Sequence, residues 1–85
     1  MNNKDIHLDL LRKLAANPEY TQRELSQEMG VSLGKVNYCM KKLIEREWVK
    51  LTKFRRNPNK VGYAYLLTPK GIEEKVRLTF LIFYT

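Results

Sequence analysis

The sequence predicts an α+β fold in which three helices, a β-hairpin and a fourth helix form a single domain over residues 1–85. Three observations predict this order. Apolar residues recur at helical spacing as far as residue 46, they alternate with polar residues over 49–54, and helical signals return at Thr68-Pro69. The length of 85 residues suits one domain, and 44% apolar with 29% charged residues is a globular balance.

The first helix is predicted over residues 5–16. Asn17-Pro18 ends it, because the residue before a proline avoids the helical region. Its apolar residues, which include Ile6, Leu8 and Leu11, cover more than half of the helical wheel. This arc is wider than one core face needs, so we expect the helix to contact its own domain and a partner chain. His7 falls within the arc, where we expect a packed side chain or an interface contact rather than a ligand.

A helix-turn-helix is predicted over residues 21–46. Thr21 and Glu24 have the spacing of a capping box at the start of the second helix. Gly30 supplies a left-handed stop, and Ser32 is a good N-cap for the third helix. Only two residues therefore separate the stop of one helix from the first turn of the next.

The third helix, predicted over 33–46, has two different faces. Its apolar stripe consists of Val36, Met40, Leu43 and Ile44, with Cys39 at the margin as an expected small core residue. The opposite face carries no aliphatic residue and no acid before position 45, and its residues are Gly34, Lys35, Asn37, Tyr38, Lys41 and Lys42.

A β-hairpin with a basic tip is predicted over residues 48–67. We expect four aromatic residues to form its core: Trp48, Phe54, Tyr63 and Tyr65. The basic and turn-forming residues of the tip are Arg55, Arg56, Asn57, Pro58, Asn59 and Lys60. A last helix is predicted over 69–84, with Thr68 as its N-cap and Pro69 at its first position.

The positive charge is concentrated in the middle of the chain. The net charge is +7, and residues 33–70 alone hold ten basic and two acidic side chains. A local field of this kind favours a polyanion, most often nucleic acid.

Several function classes are excluded by what the sequence lacks. One cysteine and one histidine leave little material for a metal site or a catalytic pair. No apolar run approaches a membrane span, and the first residues have no signal-peptide core. We therefore expect a cytoplasmic binding protein without catalytic residues, metal or cofactor.

Residues 21–38, TQRELSQEMGVSLGKVNY, look like bacterial MarR-type winged helix-turn-helix regulators, and 66–71, LLTPKG, are similar to the segment after the wing in that family. The chain resembles in particular the short regulators associated with exopolysaccharide gene clusters, over roughly residues 6–78. The resemblance implies a homodimer on double-stranded DNA, with the third helix in the major groove and the wing near the minor groove. Many members have longer terminal helices that frame an effector pocket, so the shorter chain argues against a small-molecule effector.

The resemblance also implies roles for particular residues. Thr21 and Gln22 would touch backbone phosphate. The reading face on the third helix would comprise Ser32, Gly34, Lys35, Asn37, Tyr38 and Lys41, with Lys42 on the same side. The wing tip would contribute Arg55, Arg56, Asn57, Asn59 and Lys60. Tyr38 has two open interpretations, a base or phosphate contact and packing of its ring on the adjacent turn.

The apolar end of the last helix also has three open interpretations: a dimerisation helix, a segment packed on the first helix, and an end exposed by truncation. For dimerisation the candidate residues are Ile6, Leu8, Leu11, Val76, Phe80 and Phe83. An alternative function is a winged-helix protein-interaction module within a larger nucleic-acid-associated assembly. A single-stranded DNA or RNA binder is a further alternative, although such a protein would need exposed aromatic residues on a sheet face.

Overall fold

Four helices and one two-stranded antiparallel sheet make up the fold, which is seen here in a computed structural model. In chain order the elements are α1 Asn3–Ala16, α2 Gln22–Met29, α3 Leu33–Glu45, β1 Val49–Asn57, β2 Lys60–Leu67 and α4 Pro69–Phe83. The structure describes residues 3–57 and 60–83, with the side chains of residues 4–53 and 62–83. The predicted α+β order of elements is confirmed.

The core is built around α1. Ile6, Leu8 and Leu11 are buried there, in one cluster with apolar side chains of α2, α3 and α4. The assignment of these three residues to a dimer interface therefore needs correction. The other three helices and β2 of the same chain already pack against α1, so the wide apolar arc is covered without a second copy.

The turn between α2 and α3 forms as its sequence predicts. The Thr21 hydroxyl accepts a hydrogen bond from the Glu24 amide at 3.1 Å, and the Glu24 carboxylate accepts one from the Thr21 amide at 2.9 Å. Gly30 ends α2 in the left-handed region, at φ 67°. The Ser32 hydroxyl accepts from the Lys35 amide at 3.1 Å and so caps α3.

The inner face of α3 packs on α1 and α2. Val36, Met40 and Leu43 are buried as predicted, and so is Cys39, where burial raises the pKa of the thiol. Ile44 was placed in the same stripe, but it is 38% exposed. Its position at the edge of the stripe turns it towards an open cavity at the base of the hairpin rather than into the core.

The hairpin pairs β1 and β2 from Val49 opposite Leu67 outwards, with an irregularity between Arg55 and Asn57. Trp48, just before β1, is buried as expected, and Tyr65 packs partly against the core. Tyr63, two residues nearer the tip than Tyr65, is 52% exposed, so its predicted place in the hairpin core is wrong. The side chain of Phe54 lies outside the described residues.

The start of α4 is joined to the base of the hairpin. The Thr68 amide donates to the Trp48 carbonyl at 3.0 Å, and the Thr68 hydroxyl donates to the Glu47 carbonyl. The same hydroxyl accepts from the Gly71 amide at 3.0 Å, which confirms Thr68 as the N-cap. Further along, Leu78 is buried against α1, so one face of α4 packs within the chain.

Candidate nucleic-acid interface

The outer face of α3 carries the polar residues that the sequence analysis assigned to DNA reading. Five of these residues are exposed and two, Lys35 and Lys42, are partly buried. The full set runs from the N-cap Ser32 along the helix: Ser32, Gly34, Lys35, Asn37, Tyr38, Lys41 and Lys42. The structure brings these residues together because the opposite stripe of the same helix is fixed in the core. We call this set the outer face of α3.

Tyr38 forms the centre of a cationic cluster on this face. The ammonium groups of Lys35 and Lys42 lie 5.9 and 5.6 Å from the centroid of its ring, at cation–π distance. The ring therefore packs on the adjacent turns, yet half of the side chain remains exposed. Lys42 also lies 3.7 Å from the Glu45 carboxylate, at the far end of the face. The cluster holds two positive charges beside an aromatic ring that a ligand can still reach.

Asn37 is held in place by a chain of side-chain hydrogen bonds. Its amide nitrogen donates to Gln22 Oε1 at 3.2 Å, and Gln22 Nε2 donates to the Tyr65 hydroxyl at 3.2 Å. These bonds link the outer face of α3 to the first turn of α2 and to the returning strand of the hairpin. Sequence reasoning missed Tyr65, because a contact 43 residues from Gln22 leaves no local signal.

Thr21 and Gln22, predicted to touch phosphate, lie beside this chain at the start of α2. Gln22 directs its amide along the hydrogen-bonded chain, and Thr21 directs its hydroxyl to the cap. Both lie at the N-terminal turn of α2, the end at which a helix favours anions.

The wing tip cannot be compared in the same way. The side chains assigned to it lie outside the described residues: Arg55, Arg56, Asn57, Asn59 and Lys60. In the described part of β1, Lys50 and Lys53 are exposed and add two positive charges to the hairpin.

One acidic residue of α1 and one of α2 lie near the same lysine of α1. Asp9 and Glu28 each approach the Lys13 ammonium at 3.8 Å.

None of the helices in the described part of the chain has the length and apolar character needed to cross a membrane.

Comparison with known proteins identifies the family to which the fold belongs. A family model described as winged helix-turn-helix DNA-binding matches residues 4–50, more than half of the chain. The chain therefore belongs to the winged helix-turn-helix DNA-binding family. No curated protein sequence matches it significantly.

Among solved structures, the chain is similar to the PcaV transcriptional regulator from Streptomyces coelicolor, crystallised in complex with its natural ligand. The TM-score is 0.65 at 16% sequence identity, and the match covers 88% of this chain and 57% of the PcaV chain. The winged helix-turn-helix fold is confirmed. The expectation that this chain takes no small-molecule effector stays a prediction.

Proposed function

We propose that this protein is a sequence-specific regulator of transcription that binds double-stranded DNA with α3 in the major groove. The observation that carries the proposal is the outer face of α3, which presents cationic, amide and hydroxyl groups while its inner face is fixed in the core. A helix that enters a groove needs both faces. Gly34 supports a close approach, because a Cβ at this position would meet nothing within 4 Å among the described residues.

Base reading and phosphate positioning fall to different residues in this proposal. Asn37 has the amide that pairs with adenine, and Lys35 and Lys41 have the charge that suits guanine acceptors. Ser32 and the start of α2 approach phosphates, which fix the register without reading sequence. The resemblance adds the basic wing tip on the backbone or in the minor groove.

We further propose that two copies bind together through α4. Four apolar side chains at helical spacing, all about half exposed or more, form a stripe along this helix: Ile72, Val76, Phe80 and Phe83. The Arg12 guanidinium lies 5.1 Å from the Phe83 ring centroid, where the stripe ends beside α1. A two-fold axis would bury the stripe against its own copy. The two α3 helices would then face half-sites about 34–36 Å apart.

A second candidate function is a protein-interaction module in a nucleic-acid-associated assembly. An open cavity of about 720 Å³ at the base of the hairpin favours it, since Ile44, Val49 and Leu51 give the cavity an apolar lining. This cavity lies apart from the outer face of α3, so the two functions make different predictions for variants of each surface.

The test is a competition for the protein between a duplex, its single strands and an RNA of the same sequence. Fluorescence anisotropy of a labelled duplex measures the binding. The duplex should win, and its affinity should fall by roughly 10³–10⁵ between 50 and 200 mM salt if 6–10 phosphates are neutralised. Lys41→Gln should weaken duplex binding, whereas Ile44→Gln at the cavity should not. A salt-independent affinity, or a loss confined to Ile44→Gln, would favour the interaction module.

A further inference from the structure

A small basic pocket lies between the first turns of α1 and the stretch from the middle of α3 to its C-cap. Its volume is about 230 Å³, several times the roughly 30 Å³ of one water molecule. Five side chains line the pocket: Lys4, His7, Tyr38, Lys42 and Arg46. Two of these, Tyr38 and Lys42, also belong to the outer face of α3. Three are cationic and one is a phenol, so the lining is rich in hydrogen-bond donors.

His7 is the unusual member of this lining. It is 8% exposed, and among the described residues its Nε2 is a buried polar atom without a hydrogen-bond partner. Buried polar atoms are nearly always satisfied, and an unpaired one is destabilising. An occupant of the pocket that reaches Nε2 and accepts a hydrogen bond from it would remove this cost.

The imidazole and the nearby guanidinium are both held by Trp48. The His7 and Trp48 rings meet edge to face with centroids 6.4 Å apart, and the Arg46 guanidinium lies 5.2 Å from the Trp48 ring centroid. Two donors of the pocket are therefore positioned before any ligand arrives, which reduces the ordering cost of binding.

The protonation state of His7 suits a donor role. Burial, with the positive charges of Arg46 and Lys35, lowers the pKa of His7 below its ordinary value. A neutral imidazole can still carry its one proton on Nε2 and donate it to an oxyanion. The positive charge of the site then comes from Lys4, Lys42 and Arg46.

We propose that this pocket binds a phosphate group, with His7 Nε2 and the Tyr38 hydroxyl as donors and with Lys4, Lys42 and Arg46 as counter-charges. We expect the group to be a backbone phosphate of bound duplex, since Tyr38 and Lys42 belong both to the pocket and to the outer face of α3. That source rests on the proposed function, whereas free phosphate is a source that does not. The pocket would extend the DNA footprint beyond the helix-turn-helix to the first turn of α1.

The duplex source is tested with random-sequence duplex, because a backbone contact needs no operator. Lys4→Gln should reduce the slope of log affinity against log salt by about 1. His7→Phe keeps a ring against Trp48 and removes only a neutral donor, so affinity should fall at every salt concentration with the slope unchanged. Lys70→Gln, which removes one exposed charge from the start of α4, is the matched control and should leave the slope as it is.

The free-phosphate source is tested without DNA, by following the imidazole nitrogens of His7 in NMR spectra while inorganic phosphate is added. A saturable shift of Nε2 that Lys4→Gln weakens, and that sodium chloride at equal ionic strength does not produce, supports the site. If wild type binds no duplex but phosphate moves His7, the pocket stands and the proposed function fails. If wild type binds duplex, both variants match Lys70→Gln and phosphate leaves His7 unmoved, the pocket is refuted and the proposed function stands.

Discussion

Gly71 of α4 lies directly against the backbone carbonyl of Trp48. A Cβ added at Gly71 would be 1.9 Å from the carbonyl oxygen and 2.8 Å from the carbonyl carbon of Trp48. The same oxygen accepts a hydrogen bond from the Thr68 amide at 3.0 Å. The base of the hairpin and the first turn of α4 are therefore joined backbone to backbone, with no side chain between them.

Gly71→Ala should destabilise the fold, because the added carbon meets backbone atoms that cannot rotate away. We expect the free energy of unfolding to fall by roughly 1–3 kcal/mol or more, as in other overpacked sites. Urea unfolding followed by circular dichroism measures the change. Gly34→Ala is the control: a Cβ there meets nothing within 4 Å, and alanine should raise stability by up to about 1 kcal/mol. Equal stability of the two variants would contradict this account.

Asn37→Ala should relax sequence preference. Loss of a base-reading amide should cost roughly 1–3 kcal/mol on a preferred site and little on random duplex. Tyr65→Phe should produce a smaller loss of the same kind, about 0.5–1.5 kcal/mol, because it removes the hydroxyl at the end of the Asn37–Gln22 chain. Tyr63→Phe on the same strand is the matched control. If Asn37→Ala and Tyr65→Phe each lose as much affinity for random duplex as for the preferred site, the hydrogen-bonded chain has no role in reading the sequence.

His7 should make stability depend on pH in one direction. Because its pKa is lowered in the folded state, the unfolded chain binds the proton more readily. The free energy of unfolding should therefore fall as the pH drops below about 6.5, by at most about 1.4 kcal/mol per pH unit from this group. Urea unfolding of wild type and His7→Phe between about pH 7.5 and 5, in phosphate-free buffer, isolates the contribution. Identical pH profiles would exclude it.

Phe80→Glu should shift the protein towards monomer in sedimentation experiments. The side chain is 58% exposed in the middle of the apolar stripe, and a carboxylate there would be buried against its copy in a dimer. Lys70→Glu adds a carboxylate to an exposed position near the start of α4 and should leave the sedimentation coefficient unchanged. If Phe80→Glu sediments as wild type does, the stripe is not the interface.

The elements of this fold were predictable where their signals are local. The capping box of Thr21 and Glu24, the left-handed Gly30 and the N-cap Ser32 each act within a few residues, and all three form as predicted. The outer face of α3 was predictable for the same reason, since helical spacing alone separates it from the core stripe.

What covers a surface was not predictable, because it depends on distant parts of the chain. The helical spacing of Ile6, Leu8 and Leu11 indicates that they are buried. Only the packing of α2, α3 and α4 shows that no second copy is needed to bury them. Local alternation cannot tell how far the core extends along the hairpin, so the sequence does not reveal that Tyr63 is exposed. The close approach of Gly71 to Trp48 is equally non-local.

We expect the outer face of α3 to read the sequence of a DNA duplex, in two copies related by a two-fold axis. The experiment is selection of bound duplexes from a random pool. We expect enrichment of an inverted repeat whose half-sites are about 10–10.5 base pairs apart, centre to centre. The repeat should not be enriched when duplexes are selected with the Asn37→Ala variant under the same conditions. Recovery of unenriched sequences by a wild-type protein that still binds duplex would contradict it.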